Sequence, residues 1–198
     1  MRRRCYTEIM VGIDEVGRGC WAGPLLVVAA RQIGDLPAGL ADSKALAKKQ
    51  RESLFNDIQV TCDIGEGWVQ PEEIDELGLT GAMRLGVSRA LIQLNARDDE
   101  EIIIDGHINY CPEGFSNVTA VIRADDSHPI VSAASIYAKV TRDKHMARVA
   151  KFHPFYGFEH HVGYGTALHL SALKVHGACA IHRKSFKPVQ DIIANATM

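Results

Sequence analysis

The segment that most constrains the fold is an apolar run ending in two adjacent acids and a glycine-containing turn, Val11-Gly12-Ile13-Asp14-Glu15-Val16-Gly17-Arg18-Gly19. The apolar run predicts a buried strand, and the glycines predict a turn directly after it. Neighbouring side chains of a strand point to opposite faces, so Asp14 and Glu15 can share a site only where the strand ends or bulges. Buried carboxylates need a positive partner, and Mg²⁺ prefers oxygen ligands. The alternative is an exposed acidic pair beside its own Arg18.

The composition is that of one globular domain, which we expect to span residues 1–198. The chain is 46% hydrophobic and 23% charged, and its net charge of −2 leaves room for a local basic surface. Five cysteines without a Cys-x-x-Cys pair favour neither a disulfide framework nor a zinc site, so we expect a reducing, cytoplasmic compartment. No membrane segment or signal peptide is expected, because no apolar run approaches bilayer length and the N-terminus lacks an h-region.

The pattern along the chain alternates between strands and helices. Apolar runs predict strands at 25–30, paired antiparallel with the first, at 102–104 and at 119–122; the alternation of residues 58, 60, 62 and 64 predicts a strand ending near Trp68. Helices are predicted over 45–58, capped by Asp42 or Ser43, from Pro71 to about Ala96, and over 130–149. This order indicates an α/β fold.

Asp105 follows the predicted strand 102–104 and precedes a glycine, which repeats the arrangement at Asp14. Ligands of open α/β sheets collect outside strand ends, so these two carboxylates are expected to be neighbours around one cation. The alternative is that Asp105 opens a tight turn through its side chain.

Ser135, Lys139 and Arg142 lie at helical steps of four and three, which predicts one polar stripe. The stripe suits a phosphate backbone, and equally it suits an ordinary solvated face. Tyr164 stands between two glycines, which favours close approach of its ring to a base or sugar, with core packing as the alternative. The histidines of residues 153–161 do not predict zinc, because no His-Glu-x-x-His pattern is present and no cysteine is near in sequence.

Together these motifs resemble the type 2 ribonuclease H (ribonuclease HII) family of bacteria and archaea. The resemblance covers residues 9–186. It is carried by Gly12 to Gly19 through Ala22-Gly23-Pro24, Asp42-Ser43-Lys44, Asp105-Gly106, Ala133-Ala134-Ser135-Ile136, Ala138 to Asp143, Tyr156-Gly157-Phe158, Gly163-Tyr164 and Ile181-His182-Arg183 with Ser185-Phe186. It implies a ribonuclease H-like fold, with a mixed five-stranded sheet flanked by helices and a helical C-terminal part.

The resemblance also implies residue roles. The metal-binding acids would be Asp14, Glu15, Asp105 and a fourth acid before the Ala133 helix, for which Asp125 fits best by counting and Asp126 is the reserve. The turn Gly17-Arg18-Gly19 would read the ribonucleotide 2′-hydroxyl, and Tyr164 would stack beneath the junction sugar. Further candidate substrate contacts are Lys44, Ser135, Lys139 and Arg142.

The implied activity is hydrolysis of RNA in RNA/DNA hybrids and nicking 5′ of single ribonucleotides in duplex DNA. Two Mg²⁺ or Mn²⁺ ions would serve as cofactors, leaving a 5′-phosphate and a 3′-hydroxyl. We expect a monomer, and the sequence leaves a sliding clamp open as a partner. The alternatives are another nuclease of this fold, such as a type 3 ribonuclease H or a junction resolvase, and a non-catalytic hybrid-binding protein; a nucleotide-binding module is disfavoured because phosphate-loop motifs are absent.

The chain departs from the family at three places. Val162 replaces a frequent lysine before the Gly-Tyr pair, so a phosphate contact is either missing or supplied by His160 or His161. Glu159 stands where a small residue is common, and Gly78-Leu79 replaces a frequent Asn-Ile pair. We expect these departures to change affinity and not chemistry.

Overall fold

A computed structural model describes residues 10–40 and 47–196 of the chain. The described residues form five strands and seven helices. The strands are β1 (Met10–Val16), β2 (Leu25–Gln32), β3 (Cys62–Val69), β4 (Glu101–Asp105) and β5 (Val118–Val121). The helices are α1 (Lys48–Thr61), α2 (Pro71–Leu94), α3 (Ala124–Ser127), α4 (Pro129–Ala150), α5 (Phe158–His161), α6 (Ala167–His176) and α7 (Lys187–Ala196).

The five strands form one mixed sheet in the order β3-β2-β1-β4-β5. Strands β1, β2 and β3 pair antiparallel, and β4 and β5 continue parallel to β1. The predicted mixed five-stranded sheet and the antiparallel pairing of the first two strands are confirmed. The parallel half is the part that brings carboxyl ends of neighbouring strands to one edge.

Helices cover both faces of the sheet, which is why the central strands are apolar on both sides. On one face, Val16 and Ile103 pack with Phe55 of α1 and Ile136 of α4. On the other face, residues of alternate register such as Ile13 pack against α2. The C-terminal helices α5 to α7 confirm the predicted helical C-terminal part.

The boundary between α1 and β3 differs from the prediction. Ile58 and Val60, which we assigned to a strand, lie in the last turns of α1, and β3 begins at Cys62. Ile58 is buried and Val60 is 74% exposed, as expected for residues two positions apart on a helix. A pattern of only two alternating apolar residues therefore does not distinguish a helix from a strand. The predicted caps Asp42 and Ser43, and also Lys44, lie outside the described residues.

Other predicted boundaries shift by a few residues. Helix α2 ends at Leu94, where Asn95 takes a left-handed conformation, and it is interrupted at Gly78, which has non-helical backbone angles. Strand β5 ends at Val121, before the predicted end, and α4 extends one residue beyond each predicted end. None of the helices in the described ranges has the length and apolar character needed to cross a bilayer.

Candidate active site

Three elements bring acidic residues to one edge of the sheet. The parallel pairing of β1 and β4 ends with Ile13 opposite Ile104, so Asp14 and Asp105 occupy the next position of each strand. A carboxylate oxygen of Asp105 accepts a hydrogen bond from the backbone N–H of Ala124 at 2.7 Å, and this residue opens the short helix α3. Two strand ends and a helix start therefore meet at this edge.

Asp14 carries the strongest electrostatic signal of the site. Its side chain is buried, and burial together with the charges of Glu15 and Asp105 raises the pKa of Asp14 to about 8. Hydrogen bonds from the Ser135 hydroxyl and from the Glu15 backbone N–H act in the opposite direction but do not compensate. Three carboxylates at a dry strand end need a cation to be ionised together at neutral pH.

Glu15 shares this environment, since β1 ends one residue after it. Burial raises the pKa of Glu15, Asp105 raises it further, and Arg18 lowers it. The Arg18 guanidinium lies 3.6 Å from the Glu15 carboxylate and is the cation beside it in this structure.

The donor set fits a hard divalent cation, because it consists of crowded carboxylates, of which Asp14 and Glu15 have raised pKa values. Within residues 10–40 and 47–196, however, no three His, Cys, Asp or Glu side chains already form an ion cage. Glu15 faces Arg18, and Asp105 is held by Ala124.

Asp125 and Asp126 differ in their surroundings. Asp125 is 3% exposed, and its backbone carbonyl accepts a hydrogen bond from Ser132. Asp126 is more exposed and forms an ion pair with Arg123 at 2.7 Å. The buried position at the acidic edge favours Asp125 as the fourth acid, with Asp126 on the outer side of α3.

The turn after β1 depends on glycine. Gly17 has φ +86°, and a Cβ at this position would lie 2.2 Å from the Arg142 side chain. Its carbonyl accepts a hydrogen bond from Cys20 at 3.3 Å. Gly19 faces open space, and Arg18 is partly exposed with its guanidinium between Glu15 and the Tyr110 hydroxyl.

Two buried arginines hold the backbone of this turn. Arg142 donates to the carbonyls of Pro24, Ala22 and Val162, at 2.8, 3.3 and 2.8 Å. Arg183 donates to the carbonyl of Gly23 at 3.0 and 2.8 Å, and to that of Arg18 at 2.9 Å. Both side chains have no exposed surface, so they support the turn and do not face a ligand.

This position of Arg142 corrects the sequence prediction. We expected Arg142 in a polar stripe that offers phosphate contacts, whereas its guanidinium is inside the protein and occupied by carbonyls. Arg183, which we named only in the Ile181-His182-Arg183 motif, is a second supporting residue whose role sequence reasoning missed. Charge and spacing do not indicate that an arginine is buried and bound to carbonyls. The Gly23 carbonyl that Arg183 binds, for example, lies 160 positions earlier in the sequence.

Tyr164 is placed against the same turn. The residue is 37% exposed, and its hydroxyl lies within hydrogen-bonding reach of the Gly17 backbone and the Cys20 side chain. The neighbouring Gly163 has φ +89°, and its carbonyl accepts hydrogen bonds from the backbone N–H groups of Trp21 and Ala22. The close approach that we predicted for these glycines is therefore made within this chain, by Gly163 to the Ala22 carbonyl and by Gly165 to the Trp21 ring.

A cavity of about 380 Å³ lies between Glu15 and Tyr164. Its lining includes Glu15, Ser135, Lys139, Tyr164 and also Arg51, for which sequence reasoning gave no role in the site. Ser135 hydrogen-bonds Asp14, so it is beside an acid. The Lys139 ammonium pairs with Asp143 at 2.9 Å and lies 5.9 Å from the Tyr164 ring centre.

A second cavity of about 320 Å³ shares Arg51 and Lys139 with the first and is also lined by Val162 and His160. His160 is accessible there, whereas His161 is buried with both ring nitrogens bonded to backbone groups. Of the two histidines that we considered as substitutes for the missing lysine, only His160 is placed to contact phosphate.

Comparison with solved structures gives the class of the protein. The fold matches the ribonuclease HII of Archaeoglobus fulgidus, determined in complex with PCNA, with a TM-score of 0.75 and 27% identity over 90% of this chain and 95% of that one. It also matches ribonuclease H2 of Pyrococcus horikoshii, with a TM-score of 0.73 and 27% identity over 94% and 97% of the two chains. The fold and the acidic edge thus define a nuclease of the ribonuclease H class.

Sequence comparison gives the family. The family model described as "Ribonuclease HII" matches residues 11–189. A ribonuclease HII of Marinomonas sp. (strain MWYL1) is 46% identical over 194 residues, covering 95% of this chain and 94% of that protein. The chain belongs to the ribonuclease HII family, and it is an endoribonuclease of RNA/DNA hybrids.

Proposed function

We propose that this enzyme, besides cleaving the RNA strand of hybrids, nicks duplex DNA on the 5′ side of single embedded ribonucleotides. The observation that carries the proposal is the shared cavity, in which Glu15 of the acidic edge and the Tyr164 ring line one space. A group that reads one ribose and a group that cleaves beside it must lie within one nucleotide step. The products are a 5′-phosphate and a 3′-hydroxyl.

The ions would be Mg²⁺ or Mn²⁺, and Asp14, Glu15, Asp105 and Asp125 would hold them. When bound, two such ions lower the pKa of the attacking water and stabilise the leaving 3′-oxygen. The chain contributes the negative charge that concentrates cations at this edge, and the Ser135 hydroxyl orients Asp14. Because the acids repel each other without a cation, metal and substrate phosphate are expected to strengthen each other's binding.

The turn Gly17-Arg18-Gly19 would recognise the ribose. Its backbone is fixed by Arg183, and the open space at Gly19 admits a sugar close to the main chain. A polar group positioned for a 2′-hydroxyl loses its partner on DNA, which gives discrimination against the deoxyribose. Tyr164 would stack on the sugar at the ribonucleotide–deoxyribonucleotide junction.

The two adjoining cavities would carry the phosphate backbone. Lys139 and Arg51 line both of them, and His160 lines the second. Lys44, which lies outside the described residues, remains a proposed contact. We propose that the enzyme acts as a monomer. We also propose a sliding clamp as a partner, because the archaeal relative was determined in complex with PCNA. Co-purification with the clamp of the source organism tests this partner.

The substrate proposal is tested with three labelled duplexes of one sequence: an RNA/DNA hybrid, a DNA duplex with one ribonucleotide, and an all-DNA duplex. We expect Mn²⁺- or Mg²⁺-dependent cleavage of the first two and none of the third. Cleavage of the hybrid alone would refute the nicking activity. Binding of the hybrid without cleavage would favour the non-catalytic alternative.

Tyr164→Ala separates recognition from chemistry. We expect it to lower kcat/KM on the single-ribonucleotide duplex by at least about tenfold, and to affect the hybrid less, because stacking on one base or sugar contributes about 1–3 kcal/mol. Equal losses on both substrates would contradict the assigned role of Tyr164.

A further inference from the structure

Three buried histidines lie directly behind Tyr164, and the reaction does not use them. His161, His169 and His182, here called the histidine cluster, are 7%, 0% and 1% exposed. The Cys179 sulfur is 3.1 Å from His182 Nδ1, so a cysteine that is distant in sequence from residues 153–161 lies beside the cluster. Even so, no metal-ligating arrangement of three such side chains occurs among the described residues. The cluster therefore needs another explanation.

The hydrogen-bond directions within the cluster are fixed from both ends. His169 Nδ1 lies 2.9 Å from the carbonyl oxygen of Tyr164, which can only accept, so this nitrogen carries the proton. The backbone N–H of Cys179 donates to His182 Nδ1 at 2.9 Å, so His182 carries its proton on Nε2. His182 Nε2 can then donate to His169 Nε2 at 3.0 Å. The two assignments agree, and each imidazole is neutral.

His161 holds the backbone one residue before Tyr164. Its Nε2 lies 2.8 Å from the Tyr156 carbonyl and donates to it, which leaves Nδ1 to accept the backbone N–H of Gly163 at 3.2 Å. The rings of His161 and His169 stack with centroids 4.4 Å apart. Imidazoles thus bind the N–H of Gly163 and the C=O of Tyr164, the two backbone groups that flank the Tyr164 side chain.

We propose that the histidine cluster positions Tyr164 for ribonucleotide recognition, with His182 orienting His169 and His169 and His161 fixing the backbone of Gly163 and Tyr164. The inference rests on the recognition role of Tyr164 under the proposed function. An apolar side chain at His169 fills similar space but removes this donor. The Tyr164 carbonyl then keeps only the backbone N–H of Thr166, so one buried hydrogen bond is lost.

The neutral state that this arrangement needs is also the favoured one. Burial lowers the pKa of His169 to about 4, with His161 acting in the same direction. Burial and the neighbouring His169, His153 and His161 lower the pKa of His182 to about 4. At neutral pH, the cluster is therefore uncharged and its bonds are complete.

The test is a double-variant cycle on the single-ribonucleotide duplex, using His169→Phe, Tyr164→Ala and the combination. We expect His169→Phe to lower kcat/KM about tenfold in the wild-type background, as for a lost buried hydrogen bond, and less than about twofold in the Tyr164→Ala background. His169→Asn, whose amide nitrogen can replace Nδ1 as donor to Tyr164, should restore most of the activity. Equal factors in both backgrounds would show a general structural effect and overturn the proposal.

Hydrogen exchange provides the independent readout. In His169→Phe, the amides of residues 162–166 should exchange faster while those of β4 stay unchanged. His182→Phe, which keeps the bond from His169 to Tyr164, is a milder variant for use if His169→Phe does not fold. If Tyr164→Ala cleaves the single-ribonucleotide duplex like the wild type, the recognition role of Tyr164 is wrong. Unchanged amide exchange of residues 162–166 in His169→Phe would separately overturn the positioning role of the histidine cluster.

Discussion

Asp125 and Asp126 are adjacent, yet one is buried at the acidic edge and the other is paired with Arg123 on the outside. We expect Asp125→Asn to lower kcat by at least about a hundredfold, as is typical when a group acting on transition-state charge is lost. The matched variant Asp126→Asn should stay within about threefold of the wild type, because an exposed ion pair contributes little. Steady-state cleavage of the hybrid measures both, and the reverse ranking would transfer the role to Asp126.

Asp14 makes a prediction about stability in the absence of metal. Its folded-state pKa of about 8 lies above the ordinary value of 3.8, so the folded protein binds this proton more tightly than the unfolded chain does. The ionised form therefore costs stability, and the cost grows as pH rises from about 4 to about 8.

We expect Asp14→Asn to raise the unfolding free energy of the metal-free protein at pH 7 by at least about 1 kcal/mol, while abolishing cleavage. The gain should shrink as pH falls to about 4 and vanish below it, where Asp14 is protonated in both states. Thermal unfolding of both proteins in EDTA across this pH range measures the difference. A variant that is less stable than the wild type at pH 7 would contradict the electrostatic account.

At the scale of elements, two glycines of the site make different demands. A Cβ at Gly163 would lie 2.2 Å from the Ala22 carbonyl oxygen, and its φ of +89° disfavours side chains. A Cβ at Gly19 would meet nothing within 4 Å. The first glycine is needed for folding of the Tyr164 segment against the turn, and the second is proposed to keep space for the ribose.

We expect Gly163→Ala to destabilise the protein by more than about 1 kcal/mol and to lower activity with it. Gly19→Ala should unfold at the wild-type temperature but bind ribonucleotide-containing duplex more weakly. Thermal unfolding and a binding assay at equal salt distinguish the two variants. Loss of stability in Gly19→Ala would mean that the turn is packed more tightly than described.

The elements show how far sequence patterns can predict. Strands β1 and β4, and the acids at their ends, were predicted because local apolar runs and glycines specify them. The predicted start of β3 was wrong, because the two alternating residues Ile58 and Val60 do not distinguish the end of a helix from a strand. Likewise, Arg142 and Arg183 were misassigned because burial of an arginine depends on carbonyls that distant loops supply.

At the scale of the whole molecule, the C-terminal part is bound to the turn after β1 and to helix α2. Arg183 binds the turn after β1, and Asp75 of α2 accepts hydrogen bonds from the backbone N–H groups of Lys184 and Ser185 at 2.8 Å each. We therefore propose one cooperative domain. Unfolding followed by far-ultraviolet circular dichroism and by tryptophan fluorescence should give coincident transitions, and two separated transitions would contradict a single domain.

The central claim is that carboxylates from β1, β4 and α3 act together, with divalent cations, beside a ribose-reading turn. The most direct measurement is a time course on a 5′-labelled duplex with one ribonucleotide, using wild type and Asp14→Asn, each with Mg²⁺, Mn²⁺ or EDTA. The account predicts one metal-dependent nick on the 5′ side of the ribonucleotide by the wild type and none by the folded variant. Cleavage by wild type in EDTA, or wild-type rates in Asp14→Asn, would contradict it.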